Sequence, residues 1–439
     1  MTDTILDDGP DLPDDVKQPD RPKLLQILGP GLITGASDDD PSGIATYSQA
    51  GAQFGYDLGW TLLFSFPLMC AIQEISARIG RVTGRGIAGN LKRHYPVGVV
   101  YSLVVLLLVA NTINLGADLG AMGAGLKLVI GGPALLYVAL FGLASIILEV
   151  FARYARYVSV LKWLTVSLFA YVGVALVVHV PWLTVGVWMV APHLSFKADY
   201  LTTVVAILGT TISPYLFFWQ AEEEVDEVRE RADAKPLERA PEQAKGEFRR
   251  IRIDTYLGMA LSNIVALAIM VAAAATLNAH GVTNIQTSAQ AAEALRPIAG
   301  PLVFVIFALG IVGTGLLAVP VLAGSAAYAV GETFGLHVGL ARKLNRAKAF
   351  YGFIAAATVI GVLMNFSAAI DPIKALFWSA VINGVVAVPV MAMMMFMAAR
   401  KDIMGEFTLS RGLKIVGWVA TLAMGVAAVG MFATMGSQG

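Results

Sequence analysis

The segment Gly35-Ala36-Ser37-Asp38-Asp39-Asp40-Pro41-Ser42-Gly43 places three carboxylates in an otherwise apolar run. Carboxylates and main-chain carbonyls are ligands for hard cations such as Mg²⁺, Ca²⁺ or Mn²⁺. Pro41 lacks an amide hydrogen and clashes with the preceding turn, and Gly43 lowers the cost of unusual dihedrals. A regular helix therefore cannot run through this point. Unwound backbone frees carbonyls, and an aspartate inside a membrane is expensive unless it pairs or coordinates. Asp40, against the proline, is the best-placed ligand, whereas Asp38 and Asp39 are expected nearer a wet vestibule, where they concentrate cations. The plainer alternative is that Asp40 only caps the helix beginning at Pro41. A second break is expected in GTTISPYLFFWQA, where Pro214 follows Thr210, Thr211 and Ser213.

Membrane-spanning helices must position these segments. Of 439 residues, 57% are hydrophobic and 14% charged, far below the roughly 25% charged of soluble domains. The formal net charge is zero, which argues against an electrostatic nucleic-acid binder. The single cysteine, Cys70, allows no disulfide framework or thiolate metal site within the chain. HExxH, paired mid-span histidines and a serine–histidine pairing are all lacking, so an intramembrane enzyme is disfavoured. Residues 1–23 read as a disordered acidic cytoplasmic tail and not as a signal peptide.

Eleven apolar stretches of spanning length follow, near 24–54, 58–80, 97–128, 133–151, 157–180, 200–225, 253–277, 302–330, 346–366, 372–397 and 412–436. The transmembrane domain is thus expected over 24–436. With a cytoplasmic N-terminus, only Lys127, Lys197, Arg296 and Lys374 of the 31 Lys and Arg residues fall on the outer side. That bias is a positive-inside signal, and with short loops it points to a plasma (inner) membrane protein. The charged stretch 222–252 reads as a solvated, partly helical cytoplasmic loop. If spans 1–5 and 6–10 are two halves, each half opens on a broken helix. That is the signature of an inverted-repeat transporter with a midplane site.

The sequence resembles the Nramp family of divalent-metal transporters, which have the LeuT-like fold. The resemblance rests on GPGLITGASDDDPSGIATYSQAGAQFGYDLGW, on AIQEISARIGRVTGRGIAGNLKRHYP, on LGTTISPYLFFWQA and on RIDTYLGMALSNIVALAIM, and it extends over about 24–436. It implies an all-α membrane protein with a 5+5 inverted repeat plus one extra helix, helices 1 and 6 broken. It also implies divalent metal as transported substrate, with no cofactor; a monomer is expected. The family's first-helix motif is Asp-Pro-Gly-Asn, in which Asp and Asn coordinate metal. Asp40 and Pro41 match, while Ser42 and Gly43 replace Gly and Asn. In the sixth helix the family's carbonyl ligand falls on Thr210 and its methionine on Ser213. Its two histidines fall on Tyr215 and Gln220. The proton-relay Asp and Glu of the third helix align with Asn114 and Ala117, with Asp118 one position off.

Losing the thioether removes the soft ligand that favours transition metals. Losing Met and Asn for Ser and Gly is expected to widen an oxygen-lined site built from Asp40, Ser42, Gly43, Thr210 and Ser213. Such a site suits an ion that keeps several waters, as Mg²⁺ does. This pattern resembles the Nramp-related magnesium transporter branch, with Mg²⁺ favoured and Mn²⁺ close behind. All five histidines fall at span ends or in loops and the relay positions do not titrate, so weak or absent proton coupling is expected. The alternatives are a proton-coupled Mn²⁺/Fe²⁺ transporter of the ordinary type and a cation-coupled amino-acid carrier, whose substrate carboxylate Asp40 would repel.

Asp39, Asp118 and Asn383 are secondary candidates. Asn383 is expected to make an interhelical hydrogen bond rather than line the site, and Gln73 and Asn263 likewise. Glu74 and Glu149 are expected to pair with Arg78 and Arg153. GADLGAMGAG reads as close helix packing and VMAMMMFMAAR as lipid-facing or packing methionine.

Overall fold

The computed structural model describes residues 34–35, 37–151, 166–231, 233–340, 344–366 and 371–436. The acidic tail, residues 24–33 of the first expected span and Arg153 lie outside them. Fourteen helices carry the architecture among the described residues. They are α1 (Pro41–Phe54), α2 (Gly59–Thr83), α3 (Ile87–His94), α4 (Val97–Ile130), α5 (Ala134–Phe151), α6 (Phe169–Val177), α7 (Trp182–Val190), α8 (Ala198–Thr211), α9 (Pro214–Glu230), α10 (Ala244–Thr276), α11 (Val303–Phe334), α12 (Lys348–Met364), α13 (Pro372–Ala399) and α14 (Arg411–Gly436).

Eight helical stretches are long and apolar enough to cross a membrane, or nine if α6 and α7, bent by 111°, form one span. The others in the expected set are represented by α1 and the shorter apolar α12, so the count of eleven is not reached by length and composition alone. Polar residues turn inward while Leu, Val and Phe cover the outside of α4, α5 and α14, the inverse of a soluble protein.

Close packing uses small residues. Gly209 of α8 and Gly384 of α13 let the two backbones meet: a Cβ on Gly209 would lie 2.0 Å from the Ala380 carbonyl oxygen. The glycine run on α4 serves the same end, as expected; Gly116 and Gly361 face each other and Asn365 Nδ2 donates to the Gly116 carbonyl at 2.8 Å. Met391, Met394, Met395 and Met397 are buried packing residues.

The stretch 222–252 departs from the solvated loop expected. Residues up to Glu230 continue α9, and Ala244 already begins α10. Between them Leu237 and Glu238 donate their amides to the Arg81 and Val82 carbonyls at the end of α2. Arg250 pairs with Glu224, with Glu227 (3.1 Å) and with Glu247 (2.8 Å), and buried Arg81 pairs with Glu247 (3.2 Å). Charges spread along the sequence thus close on each other across three helices. Glu74 pairs with Arg78 at 2.6 Å as expected, and Arg78 also lies 4.3 Å over the Phe248 ring.

Candidate metal site

Thr34, Gly35, Ser37 and Asp38 are helical, Asp39 and Asp40 are not, and α1 restarts at Pro41. Asp40 is extended (φ −66°, ψ 169°) and caps α1: the Gly43 amide donates to its Oδ1 at 2.7 Å and the Ser42 hydroxyl at 2.6 Å. The second break mirrors this layout, with α8 ending at Thr211, Ser213 extended and Pro214 opening α9. Ser213, however, does not cap α9. Its hydroxyl turns back to the Gly209 (2.8 Å) and Thr210 (2.9 Å) carbonyls, satisfying groups that the end of α8 leaves open.

The fold brings the two breaks together. The Tyr215 hydroxyl donates to Asp40 Oδ2 at 3.3 Å, and a Cβ on Gly43 would lie 3.0 Å from Thr210 Oγ1. Asn114 Nδ2 of α4 donates to the same Oδ2 at 3.0 Å, and the Ser379 hydroxyl of α13 in turn donates to Asn114 Oδ1 at 2.6 Å. One oxygen of Asp40 therefore holds the helix start, while the other faces groups from two further helices, α4 and α9. The widened space expected at Gly43 is absent here, because Thr210, Tyr47 and Asp40 fill it. Asp40, Ser42, Thr210 and Ser213 are each at most 1% exposed, so this conformation is closed around them.

Asp38 and Asp39 are not in a wet vestibule. Both are buried against α10, where the Ser262 hydroxyl lies 2.6 Å from Asp38 Oδ2 and 3.2 Å from Asp39 Oδ1. Ser262 is not among Asp40's hydrogen-bond partners, and among the described residues no three acidic, histidine or cysteine side chains converge as a metal cage. Asp118 follows Asn114 by one helical turn and is fully buried, and neither of its carboxylate oxygens has a hydrogen-bond partner among the described residues. The interhelical bond expected of Asn383 is not formed: both amide atoms are buried without a partner among the described residues, one turn beyond Ser379. Gln73 is equally unpartnered, whereas Asn263 donates to the Leu62 carbonyl at 3.2 Å as expected. Glu149 has no partner among the described residues.

Ser262, Ser379 and Tyr215 join the polar cluster around the first break, and of these the sequence points only to Tyr215, as a histidine replacement. The signal for Ser262 is its place beside Asn263 inside an apolar span; Ser379 carries no local signal. Asp38, Asp39, Asp40 and Asp118 form no ion pair among the described residues. The pairs that are formed gather at the arginine-rich end of α2, α9 and α10 or near chain turns. At the opposite end a cavity of about 270 Å³ is lined by Gln53, Asp199, Thr202, Thr203, Phe377 and Trp378. Gln53 sits twelve residues along α1 from Pro41, roughly 18 Å.

Comparison with known proteins places this geometry. The sequence model of the family described as natural resistance-associated macrophage protein-like, Nramp, matches residues 31–434. A divalent metal cation transporter MntH from Klebsiella pneumoniae (strain 342) is 26% identical over 407 residues, which cover 91% of this chain and 92% of that protein. A crystal structure of the Eremococcus coleocola manganese transporter, in complex with an aromatic bis-isothiourea compound, superposes with a TM-score of 0.74 at 17% identity, covering 99% of this chain and 91% of that one. The symporter Mhp1, with bromovinylhydantoin bound, shares the fold more distantly (TM-score 0.51, 15% identity, 93% of each chain). The chain belongs to the Nramp family and is a multi-pass membrane transporter of divalent metal ions, with the metal as substrate and no enzymatic role.

Proposed function

We propose that this chain carries Mg²⁺ in preference, with Mn²⁺ close behind, by alternating access and with little or no proton coupling. The observation that carries the reading is the chemistry around Asp40: a hydroxyl, a backbone amide, a carboxamide and a phenol converge on it, and among the described residues no sulfur hydrogen-bonds to it. Asp40 supplies the charge, Thr210 a carbonyl, and Ser42 and Ser213 hydroxyl oxygens, either directly or through waters that the ion retains. Gly43 leaves the backbone close to the ion. Oxygen donors suit a hard cation, and a single carboxylate suits one that dehydrates reluctantly. None of the five histidines is among Asp40's partners, which supports transport driven by the membrane potential and the metal gradient.

One observation favours a second reading, the ordinary proton-coupled Mn²⁺ mechanism. Asp118 is a buried carboxylate with no hydrogen-bond partner among the described residues, one turn from Asn114, where a proton could be held. The Eremococcus coleocola protein, named for manganese, leans the same way. An N-terminus on the cytoplasmic side and a plasma membrane location, as the Lys/Arg bias indicates, belong to either reading. The ligand assignment is tested by Asp40→Ala, which abolishes metal uptake while the protein still inserts and elutes as a folded species. Normal uptake by that variant sinks the site.

A further inference from the structure

A second meeting of carboxylates lies at the arginine-rich end, about two turns along α9 from Tyr215. Glu332, two residues before the end of α11, accepts the Gly86 amide at 2.8 Å and the Gly89 amide at 2.7 Å. It thereby caps α3 from outside, satisfying open amides at that helix start. Glu222 of α9 arrives at the same place. The position a Cβ on Gly86 would occupy is 1.8 Å from Glu222 Oε1 and 2.6 Å from Glu332 Oε2. Only glycine can stand there, and the two carboxylates touch or nearly touch across it. Glu222 is 1% exposed, and its Oε2 has no partner among the described residues.

Glu222 is buried and Glu332 half-buried, and like charges this close are disfavoured together, so such a contact is relieved by one proton held between the two carboxylates. Other charged groups facing Glu222 are Arg229 and Asp226 on its own helix, and these pair with each other at 2.7 Å. From α11 the Tyr328 hydroxyl also faces this side and donates to Asp226 at 2.6 Å. Arg229 pairs directly with Asp226 and reaches Glu222 only at longer range. From α3 the Lys92 ammonium lies by the end of α11, 3.4 Å from where a Cβ on Gly335 would stand. Within the Glu222–Glu332 contact itself the neutralising charge is a proton.

We propose that Glu222 and Glu332 share one proton and act as a pH-sensitive latch that holds α9, α11 and the start of α3 together at this end. With the proton present the pair is a hydrogen bond across three elements. With it gone, two negative charges push α9 from α11 and the end loosens. Acid on this side holds the end closed and alkali releases it. The latch concerns how the transporter opens and does not depend on which ion it carries, so its test needs no transport.

The test is hydrogen–deuterium exchange of the full-length protein in lipid nanodiscs, following the peptide that contains Gly86 and Gly89 from pH 6 to 9 after correction for intrinsic exchange. Protection in the wild type should fall with rising pH, by up to about tenfold per pH unit once the shared proton leaves. Glu222→Gln supplies a permanent donor to Glu332, so its protection should be high and flat with pH. Glu332→Gln should lose protection at every pH. A flat wild-type profile, or a Glu222→Gln profile that falls as the wild type does, overturns the latch. If Glu222→Gln fails to insert, the wild-type profile alone decides.

Discussion

Removing one hydroxyl distinguishes two accounts of the second break. The proton of Ser213 is shared between the Gly209 and Thr210 carbonyls at 2.8 and 2.9 Å. Turning to an ion forfeits this one bifurcated bond, about 1 kcal/mol. A hydroxyl oxygen facing a full charge gains about 1.5–3 kcal/mol. The net contribution is therefore about 0.5–2 kcal/mol, and Ser213→Ala should weaken Mg²⁺ binding about two- to thirtyfold. Titration calorimetry on purified protein reads this directly, with uptake kinetics in proteoliposomes as the functional counterpart. Tighter binding in the variant would refute the reasoning. It would mean that the hydroxyl competes with the ion for the Thr210 carbonyl, and that Ser213 is a lock on the ligand and not a ligand. Unchanged affinity would remove Ser213 from the site altogether.

Restoring asparagine at Gly43 should lower the melting temperature, since its Cβ would press on Thr210 Oγ1 at 3.0 Å and Tyr47 Cε2 at 3.3 Å; overpacking of this kind costs about 1–3 kcal/mol. Combined with Ser213→Met it should also shift preference toward Mn²⁺, through the softer thioether; unchanged selectivity in competition uptake would contradict the role given to ligand softness. In the ionic network, Arg250→Met strands buried Glu224, while Glu227 and Glu247 lose one partner and keep Arg231 and Arg81. It should cost about 3–5 kcal/mol of stability, seen as a lower melting temperature, and adding Glu224→Gln should recover part of that loss.

Features with local causes were legible in the sequence. Asp-Pro and Ser-Pro in apolar runs dictate interrupted helices, because the proline penalty acts within one turn. The glycine run on α4 similarly announced close packing. What escaped depends on which distant residues meet. Asp38 and Asp39 read as wet because a triple aspartate looks exposed, yet Ser262, more than two hundred positions away, receives them. Residues 222–252 read as solvated because a charge run usually is, yet Arg81 reaches Glu247 from α2, and Arg250 folds back from α10 onto Glu224 of α9. Ser213 shows the subtler limit. Its position relative to the proline was readable, but a hydroxyl chooses between backbone and ion on differences of about 1 kcal/mol, which residue type alone does not encode.

The most direct test of the central claim is metal uptake into proteoliposomes, comparing Mg²⁺ with Mn²⁺ while an internal dye reports pH. An oxygen-lined site around Asp40 with little proton coupling predicts Mg²⁺ uptake that follows the membrane potential and leaves the internal pH unchanged. Uptake selective for Mn²⁺, accompanied by acidification, would contradict it and assign Asp118 the proton-carrying role of the ordinary mechanism.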